Sequence, residues 1–379
     1  MDGHAENLEF LAQMSNRYGG DPRYVLAGGG NTSWKNETEL YVKPSGTSLA
    51  TIRADGFAGV GRAGLDAILK RQYDPCDEAK READVLADMM ASRLSWSLDR
   101  RPSVETLLHN LCPGAFTAHL HPSLVNGLTC GADGPSRARE MFGDGVLWIE
   151  AYKPGYALAS LYSRKLEELR NAGKPVPNVI LLQNHGIFVT ADSPGEIGSI
   201  LDGVMETLDR NAPVKPRRDI VVVDPSRLAE AKKSIADAIE KRAPGDVPTI
   251  LHAATADILE MTEDENAFLP LALPFTPDHI VYCKARFLYL ESASETAARY
   301  PRFVSENGYE PKVICVRNVG AFFIGRDERQ ARNTGELFRD ACDIAVYSRN
   351  FGGPLHMTQE LTDFIINWEA ESYRQKEVD

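Results

Sequence analysis

The clearest structural signal in the sequence is the stretch Phe116-Thr117-Ala118-His119-Leu120-His121-Pro122. Its apolar and β-branched start predicts a buried strand over residues 116–120. Because side chains on a strand alternate between its two faces, His119 and His121 are expected to project from one face, with Cα atoms about 6.5 Å apart. At that separation both imidazoles can reach one metal ion, so the stretch predicts a strand that ends in half of a metal site.

A third histidine follows a second apolar strand. Val179–Leu182 is predicted to be buried, and His185 lies shortly after it, directly before Gly186, where the chain can turn tightly. Three histidines with an open fourth position are typical of a catalytic zinc site. Histidines two residues apart are also frequent on surfaces and in cores, so the pattern alone leaves a structural interpretation open. The histidines without such pairing are interpreted as structural or exposed: His4, His109, His252, His279 and His356.

A carboxylate for proton transfer is available at Glu105, which follows Ser103-Val104 and opens a predicted helix up to Leu111. An alternative interpretation is structural. Ser103 would be the N-cap residue, and Glu105 would lie in the first turn, where the helix dipole favours a negative charge. Taken by itself the pattern favours this capping role, and the two roles are compatible.

Two glycine-containing turns have the composition of an anion-binding nest. They are Gly28-Gly29-Gly30-Asn31-Thr32-Ser33 and Pro44-Ser45-Gly46-Thr47, which offer backbone N–H groups together with hydroxyl and amide side chains. Ordinary turn chemistry explains the same residues, so both interpretations stay open.

Length, charge and cysteine usage exclude several classes of protein. The 379 residues correspond to roughly two or three domains. A net charge of −12 argues against nucleic-acid or anionic-membrane partners, which attract basic surfaces. The six cysteines form no Cys-x-x-Cys pair, no signal peptide is recognisable, and no run approaches the about 18 apolar residues of a membrane span. A cytoplasmic protein is therefore expected.

The second part of the chain contains a weak internal repeat. Residues 178–189 align without gaps on residues 312–323, and both copies contain an apolar strand followed by Asn-x-Gly. A fainter match pairs residues 40–44 with 281–285. Chance similarity between strand–turn–strand units is one explanation, and a degenerate duplication is the other. His185 corresponds to Val319, so the second copy is expected to lack the metal ligands.

A proline-rich segment separates the two copies. Pro213 and Pro216 precede a charged helix predicted to run to Arg242, with Asp224 as its N-cap and Pro225 in its first position. We therefore predict a domain boundary near residue 215, with domains at 1–215 and 216–379.

The motifs described above occur in a fixed order along the chain, together with Lys43-Pro-Ser-Gly-Thr and Asn184-His-Gly. In this order they resemble the class II aldolase/adducin family, over about residues 5–215. The resemblance is strongest to the aldolase half of bifunctional rhamnulose-1-phosphate aldolase/alcohol dehydrogenases, and the rest resembles the segment that precedes the dehydrogenase. It implies an α/β fold with three layers, α-β-α, and a smaller α/β C-terminal part that is a degenerate repeat.

The resemblance also implies roles for individual residues. Zinc, or another divalent metal, would be held by His119, His121 and His185, and Glu105 would be the acid/base. A Tyr from a neighbouring subunit protonates the leaving aldehyde in family members, and Tyr152 lies in the matching region, so a homo-oligomer is expected. The residues expected to bind phosphate are Asn31, Ser45, Gly46 and Ser103. Related aldolases have Ser-Ser-Glu where this chain has Ser103-Val104-Glu105, so one phosphate-binding hydroxyl is missing.

The implied activity is that of a zinc-dependent lyase of carbohydrate metabolism. It would reversibly cleave a sugar phosphate of the ketose-1-phosphate type, via an enediolate, to dihydroxyacetone phosphate and an aldehyde. The same site in this family also serves pentulose-phosphate 4-epimerases and dehydratases or decarboxylases. A further alternative is a non-catalytic, adducin-like interaction module, in which the metal-binding histidines would be lost.

Overall fold

A computed structural model of the protein describes residues 3–245 and 247–368. The chain divides into two compact units. Unit 1 comprises the residues up to Val125 and Pro135–Arg210, and unit 2 comprises Asn126–Gly134 and the residues from Asn211 onward. The short segment groups with unit 2 through backbone hydrogen bonds, in which Ala132 donates to Gly353 and Leu355 donates to Cys130. The domain boundary near residue 215 remains a prediction. A division there would leave Asn126–Gly134 with the first part of the chain, whereas this segment groups with unit 2.

The first 211 residues of the chain contain the following elements. The helices are α1 (Gly3–Gly19), α2 (Arg62–Lys70), α3 (Glu78–Ala91), α4 (Thr106–Leu111), α5 (Ser123–Thr129), α6 (Gly134–Phe142), α7 (Tyr156–Asn171) and α8 (Pro194–Asn211). The strands are β1 (Asn31–Lys35), β2 (Glu39–Val42), β3 (Ala58–Gly61), β4 (Phe116–Leu120), β5 (Val146–Ile149), β6 (Val179–Leu182) and β7 (Gly186–Ala191). The predicted strands at 116–120 and 179–182 are confirmed with the same bounds.

The strands of unit 1 form one mixed sheet in the order β3-β2-β1-β4-β7-β6-β5. Among the described strands of this sheet, only β5 and β6 pair in parallel, and α7 provides the crossover that a parallel pair needs. The strand β4 lies in the centre of the sheet and pairs with β1 on one side and β7 on the other. The sheet therefore places the end of β4 between two neighbouring strands.

Helices cover both faces of this sheet. On one face a core of buried side chains joins α2, α3, α4 and α7 to the strands and includes Leu65, Leu108 and Phe188. On the other face α1 packs on β1, with the ring of His4 5.1 Å from that of Trp34. These are the three layers of an α-β-α architecture, so the expected fold class is confirmed.

Unit 2 is a smaller α/β unit. Its helices are α9 (Pro225–Arg242), α10 (Ala256–Met261), α11 (Glu265–Phe268), α12 (Pro277–Cys283), α13 (Thr296–Asn307), α14 (Glu328–Ser348) and α15 (Gln359–Asn367). Its strands are β8 (Thr249–Ala253), β9 (Leu288–Leu290), β10 (Val313–Val316) and β11 (Gly320–Gly325). The start of α9 is as predicted, because the Asp224 side chain accepts hydrogen bonds from the backbone of Ser226 and Arg227, and Pro225 occupies the first turn.

The sheet of unit 2 repeats part of the topology of unit 1. Its order is β8-β11-β10-β9, with β9 and β10 parallel and the other pairs antiparallel. The strands β4-β7-β6-β5 have the same order and the same relative directions. The strand-to-strand turn is also the same, since Asn184 and Asn318 have φ angles of 56° and 57°. These correspondences support the duplication.

The fainter match between residues 40–44 and 281–285 is wrong. Leu40–Val42 lies in β2, whereas Val281–Cys283 lies in the buried helix α12. Pro277 begins this helix, and its completely buried surroundings override the β propensity of Val281 and Tyr282. None of the described helices is both long and apolar enough to cross a lipid bilayer.

Candidate functional site

Three residues on adjacent strands form a row at the centre of the unit 1 sheet. Asn31 of β1 lies opposite His119 of β4, and His119 lies opposite Phe188 of β7. Residues directly opposite one another share a face of the sheet. The rings of His119 and Phe188 stack with centroids 4.1 Å apart, and Phe188 belongs to the core beneath α4. His119 is therefore a fully buried side chain on the face covered by α4.

His185 reaches the same place from the turn between β6 and β7. Its backbone N–H donates to Leu182, and the preceding residue, Asn184, adopts a left-handed conformation, which asparagine tolerates better than most residues. Gly186 follows because a Cβ there would lie 2.5 Å from the carbonyl oxygen of Leu120 and 2.7 Å from the ring of His121. The Asn-His-Gly sequence thus lets β7 approach β4 closely while it directs His185 toward the other two histidines.

The three histidines form a compact cluster. One ring nitrogen of each of His119, His121 and His185 lies within 4.8 Å of the others, and among the described residues this is the cluster able to hold a metal ion. The Nε2 atoms of His119 and His121 are 2.9 Å apart. The ring centroid of His185 lies 5.0 Å and 5.2 Å from those of His119 and His121.

The hydrogen bonds of the cluster fit a cation. His119 Nδ1 lies 3.0 Å from the carbonyl oxygen of Ile187, and since a carbonyl only accepts, Nδ1 is the donor. When the ring is neutral, Nε2 therefore carries a lone pair. This nitrogen faces His121 Nε2 and the carboxylate of Glu105. A ligand histidine whose second nitrogen donates to a backbone carbonyl is the usual arrangement in metal sites. The residues present therefore fit a divalent metal ion.

Glu105 lies beside this cluster with its carboxylate almost completely buried. Its Oε1 atom is 3.2 Å from His119 Nε2 and 3.3 Å from His185 Nε2, and it accepts no hydrogen bond from the described residues. Oε2 accepts a hydrogen bond of 2.6 Å from the side-chain amide of Asn31. Burial would raise the pKa of Glu105, but positive charge on His119 and His185, when these rings are protonated, and the hydrogen bond from Asn31 hold it well below its usual range. A bound cation would act with the same sign.

Ser103 was expected to be the N-cap residue of α4, but Glu105 occupies that position. The helix α4 begins at Thr106, and Glu105 is its N-cap residue without a side-chain capping bond. Ser103 Oγ instead accepts hydrogen bonds from the backbone N–H of Glu105 and from the side-chain amide of Asn31, at 3.3 Å and 3.2 Å. The polar side chains at this helix start thus bond to the sheet because β1 lies against them.

The second glycine-containing turn lies next to this helix start. Thr47 donates to the carbonyl of Pro44, and Gly46 has a φ of 81°, which together describe a type II turn with glycine at its third position. Ser45 donates its backbone N–H to Arg101, and Pro44 forms a bridge with Pro102, so the turn lies beside the segment that leads to Ser103.

The first glycine-containing turn contacts β4. A Cβ on Gly30 would lie 2.7 Å from the carbonyl oxygen of His119, so only glycine fits. The buried ammonium group of Lys43 donates to the carbonyl oxygens of Gly28 and Gly30, at 3.2 Å and 3.0 Å. This turn is therefore held against the strand that carries His119.

Tyr152 does not belong to the hydrogen-bonded group around Glu105 within the described part of the chain. It lies in the loop between β5 and α7 and is 44% exposed. In the described part of the chain, it takes no part in the hydrogen bonds that join Asn31, Ser103, Glu105 and the histidines.

Sequence reasoning did not connect three polar residues beneath the site with Glu105 and the histidines. Ser33 and Lys35 follow Asn31 at alternate positions of β1, and His109 lies one helical turn after Glu105. His109 bonds to both Ser33 and Asn31, while the Lys35 ammonium donates to the carbonyl oxygens of His109 and Cys112. Burial lowers the pKa of His109 to about 3 and that of Lys35 to about 8. The alternation of polar residues in a buried strand was the signal that could have revealed them.

The chain is similar in sequence to known proteins. Residues 10–199, half of the 379-residue chain, match the sequence profile of the Class II Aldolase and Adducin N-terminal domain. Over 97% of its length the chain is 22% identical to the uncharacterized oxidoreductase YuxG of Bacillus subtilis (strain 168), and it spans 58% of that protein's length.

Two solved structures are similar to part of the chain. The N-terminal class II aldolase domain of a conserved protein from Thermoplasma acidophilum is 26% identical with a TM-score of 0.46, and the match covers 54% of this chain and 92% of that chain. The L-fuculose-1-phosphate aldolase of Thermus thermophilus is 15% identical with a TM-score of 0.35, over 55% of this chain and 94% of that chain. Because the profile matches half of the chain, the protein belongs to the class II aldolase and adducin family, as its motifs predicted.

Proposed function

We propose that the protein is a zinc-dependent aldolase that reversibly cleaves a ketose-1-phosphate-type sugar phosphate to dihydroxyacetone phosphate and an aldehyde. The observation that carries this proposal is the position of Glu105. A buried carboxylate oxygen that accepts no hydrogen bond from the described residues lies 3.2 Å and 3.3 Å from two clustered histidines. Such an oxygen is available to exchange a proton with a bound substrate.

The histidines His119, His121 and His185 would hold the metal ion. When bound, a zinc ion supplies a Lewis acid that polarises a carbonyl oxygen. The chain provides the neutral imidazoles and the orientation of each ring. The bond from His119 Nδ1 to Ile187 and the stacking on Phe188 keep that ring from rotating.

Aldol cleavage needs two proton transfers. One proton leaves the substrate hydroxyl that becomes the aldehyde, and another is delivered to the carbon that retains the electron pair of the broken bond. Glu105 Oε1 would exchange the proton on carbon, since Oε2 accepts the hydrogen bond from Asn31. The exposed position of Tyr152 makes it available to a second copy of the chain, where it would exchange the proton of the aldehyde oxygen.

A phosphate group would bind at the turn that contains Ser45 and Gly46, together with the Ser103 hydroxyl. This assignment is supported by the contact of the turn with the segment before Ser103. Asn31 would support the site indirectly, because both amide hydrogens already have acceptors in Glu105 and Ser103. A net charge of −12 gives no general attraction for an anionic substrate, so attraction has to come from these local groups and the metal.

The test is a substrate panel. Ketose-1-phosphates and the matching unphosphorylated sugars would be incubated with the zinc-loaded protein, and dihydroxyacetone phosphate or dihydroxyacetone would be detected by a coupled assay. We expect release of dihydroxyacetone phosphate from at least one phosphorylated ketose. Epimerisation of a pentulose phosphate without release of a triose would contradict the aldolase proposal and favour the epimerase alternative.

A Val104→Ser variant sharpens the phosphate assignment. This change restores the hydroxyl that related aldolases carry beside Ser103. If phosphate binds there, the KM for the phosphorylated sugar should fall about 3- to 10-fold, as expected for one added hydrogen bond, while that for the unphosphorylated sugar stays unchanged. Equal changes for both sugars would contradict the assignment.

A further inference from the structure

A fully buried histidine outside the metal cluster lies directly beneath Glu105. His109 is in α4, and its backbone N–H donates to the carbonyl of Glu105, so the two side chains belong to the same helical turn. Its ring packs edge-on against Phe188, with centroids 5.2 Å apart. The Nδ1 atom lies 2.6 Å from Ser33 Oγ, and Nε2 contacts Asn31 Oδ1.

The direction of each hydrogen bond in this group follows from its neighbours. The Asn31 amide nitrogen has to face the Glu105 carboxylate, because a carboxylate only accepts, and Oδ1 therefore faces His109. Since Oδ1 is an acceptor, His109 Nε2 carries the proton. Burial keeps His109 neutral, so Nδ1 is a lone pair that accepts the Ser33 hydroxyl hydrogen. The donors and acceptors thus run in one direction from Ser33 through His109 and Asn31 to Glu105.

This chain of bonds distinguishes the two oxygens of Glu105. Oε2 is held by Asn31 at 2.6 Å, and Oε1 faces His119 and His185. Loss of the His109 proton donor would remove the bond to Asn31 Oδ1, so Asn31 would be held by its amide nitrogen alone and the Glu105 carboxylate would be oriented less firmly. We propose that His109, as the Nε2–H tautomer, is a positioning residue that orients Glu105 through Asn31. The kinetic consequence of this inference rests on the proposed aldolase function.

A matched pair of variants separates positioning from simple packing. In His109→Gln the terminal amide nitrogen can replace Nε2 as the donor to Asn31. In His109→Asn the shorter side chain reaches the position of Nδ1, so it can bond to Ser33 but cannot reach Asn31. Both variants shorten or reshape the same buried side chain, and neither touches the metal-binding histidines.

We expect kcat for aldol cleavage to fall about 10- to 100-fold in His109→Asn and to stay within about threefold of the unsubstituted protein in His109→Gln. The KM and the bound zinc per chain should be unchanged in both. An equal loss of kcat in the two variants, or a change confined to KM, would overturn the proposal.

A measurement without substrate tests the same inference on the unsubstituted protein. Nitrogen NMR of the protein with ¹⁵N-labelled histidine rings reports which ring nitrogen carries the proton. The signals of His109 are assigned because they are lost in the variants, or by sequential connectivity. A protonated Nε2 is expected. A protonated Nδ1 would overturn the proposal even if a variant failed to fold. If the unsubstituted protein showed no aldol cleavage, the proposed function would fail, while this measurement would still decide the tautomer.

Discussion

His119 and His252 occupy equivalent positions in two sheets with the same strand order. His119 lies opposite Phe188 of β7, and His252 lies opposite Phe322 of β11, the residue that aligns with Phe188. The surroundings differ. The His252 Nε2 donates to the carbonyl oxygen of Val319, the residue that replaces His185, and β8 has no counterpart of β1 beside it within the described strands. The second histidine therefore serves as an internal control for the first.

Removal of His119 should abolish metal binding. We expect His119→Ala to lose at least about 90% of the bound zinc by elemental analysis, because two imidazoles without a third hold the ion far more weakly. The matched change His252→Ala should leave the zinc content unchanged. Retention of zinc by His119→Ala, or absence of divalent metal from the unsubstituted protein, would favour a non-catalytic, adducin-like module.

Replacement of Glu105 by its amide should remove activity without removing metal. Glu105→Gln keeps the shape of the side chain but cannot accept a proton in the same way, so kcat should fall about 10²- to 10⁴-fold. The zinc content should stay within the error of the unsubstituted protein. A variant with kcat within about threefold of normal would contradict the acid/base role.

Gly186 should be required for the geometry of the histidine cluster. The Cβ of Gly186→Ala would lie 2.5 Å from the backbone of Leu120 and 2.7 Å from the His121 ring, so β4 and β7 would have to separate. We expect a zinc affinity weakened at least about tenfold, measured by competition with a chelator. The control is Gly195→Ala in α8, where nothing lies within 4 Å of the added Cβ. Similar affinities in the two variants would refute this account.

Lys35 should make stability rise with pH in the alkaline range. Burial lowers its pKa from 10.5 to about 8 in the folded protein, so between these values the unfolded chain binds more protons. The free energy of unfolding attributable to Lys35 therefore increases from pH 8 to pH 10.5, by about 3 kcal/mol at most. Denaturant unfolding of the unsubstituted protein and Lys35→Met at about pH 7.5 and about pH 10 measures this difference. If the free energy of unfolding changed equally with pH in both proteins, Lys35 would not titrate in this range.

Sequence reasoning succeeded where the determining residues are neighbours in the chain. The strand at 116–120 and the start of α9 follow from local alternation and from the capping chemistry of Asp224 and Pro225. The Asn-x-Gly turns were located from their sequence as well, although Gly186 is required by its approach to Leu120, which is distant in sequence. Local chemistry therefore predicted these elements and the two strand ends that carry the histidines.

It failed where the deciding partner is distant in sequence. Ser103 looks like an N-cap residue, but Asn31, which lies 72 positions earlier, bonds to its hydroxyl. His109 looks like an ordinary core histidine until β1 places Ser33 and Asn31 at its two nitrogens. The sequence Val281-Tyr282-Cys283 resembles that of β2, yet these completely buried residues form part of a helix. Tertiary packing decides each of these cases.

The grouping of Asn126–Gly134 with unit 2 affects how the protein folds during its synthesis. Gly131 bridges to Pro354, and Asp133 donates to the carbonyl of Phe351, so these bonds form only after residues 351–354 have left the ribosome. Until then, a segment between two strands of the family-matched region has open backbone groups, and such long-range closure slows folding. A nascent chain stalled before residue 350 should accordingly be cleaved by protease within 126–134, whereas the released protein should resist cleavage there.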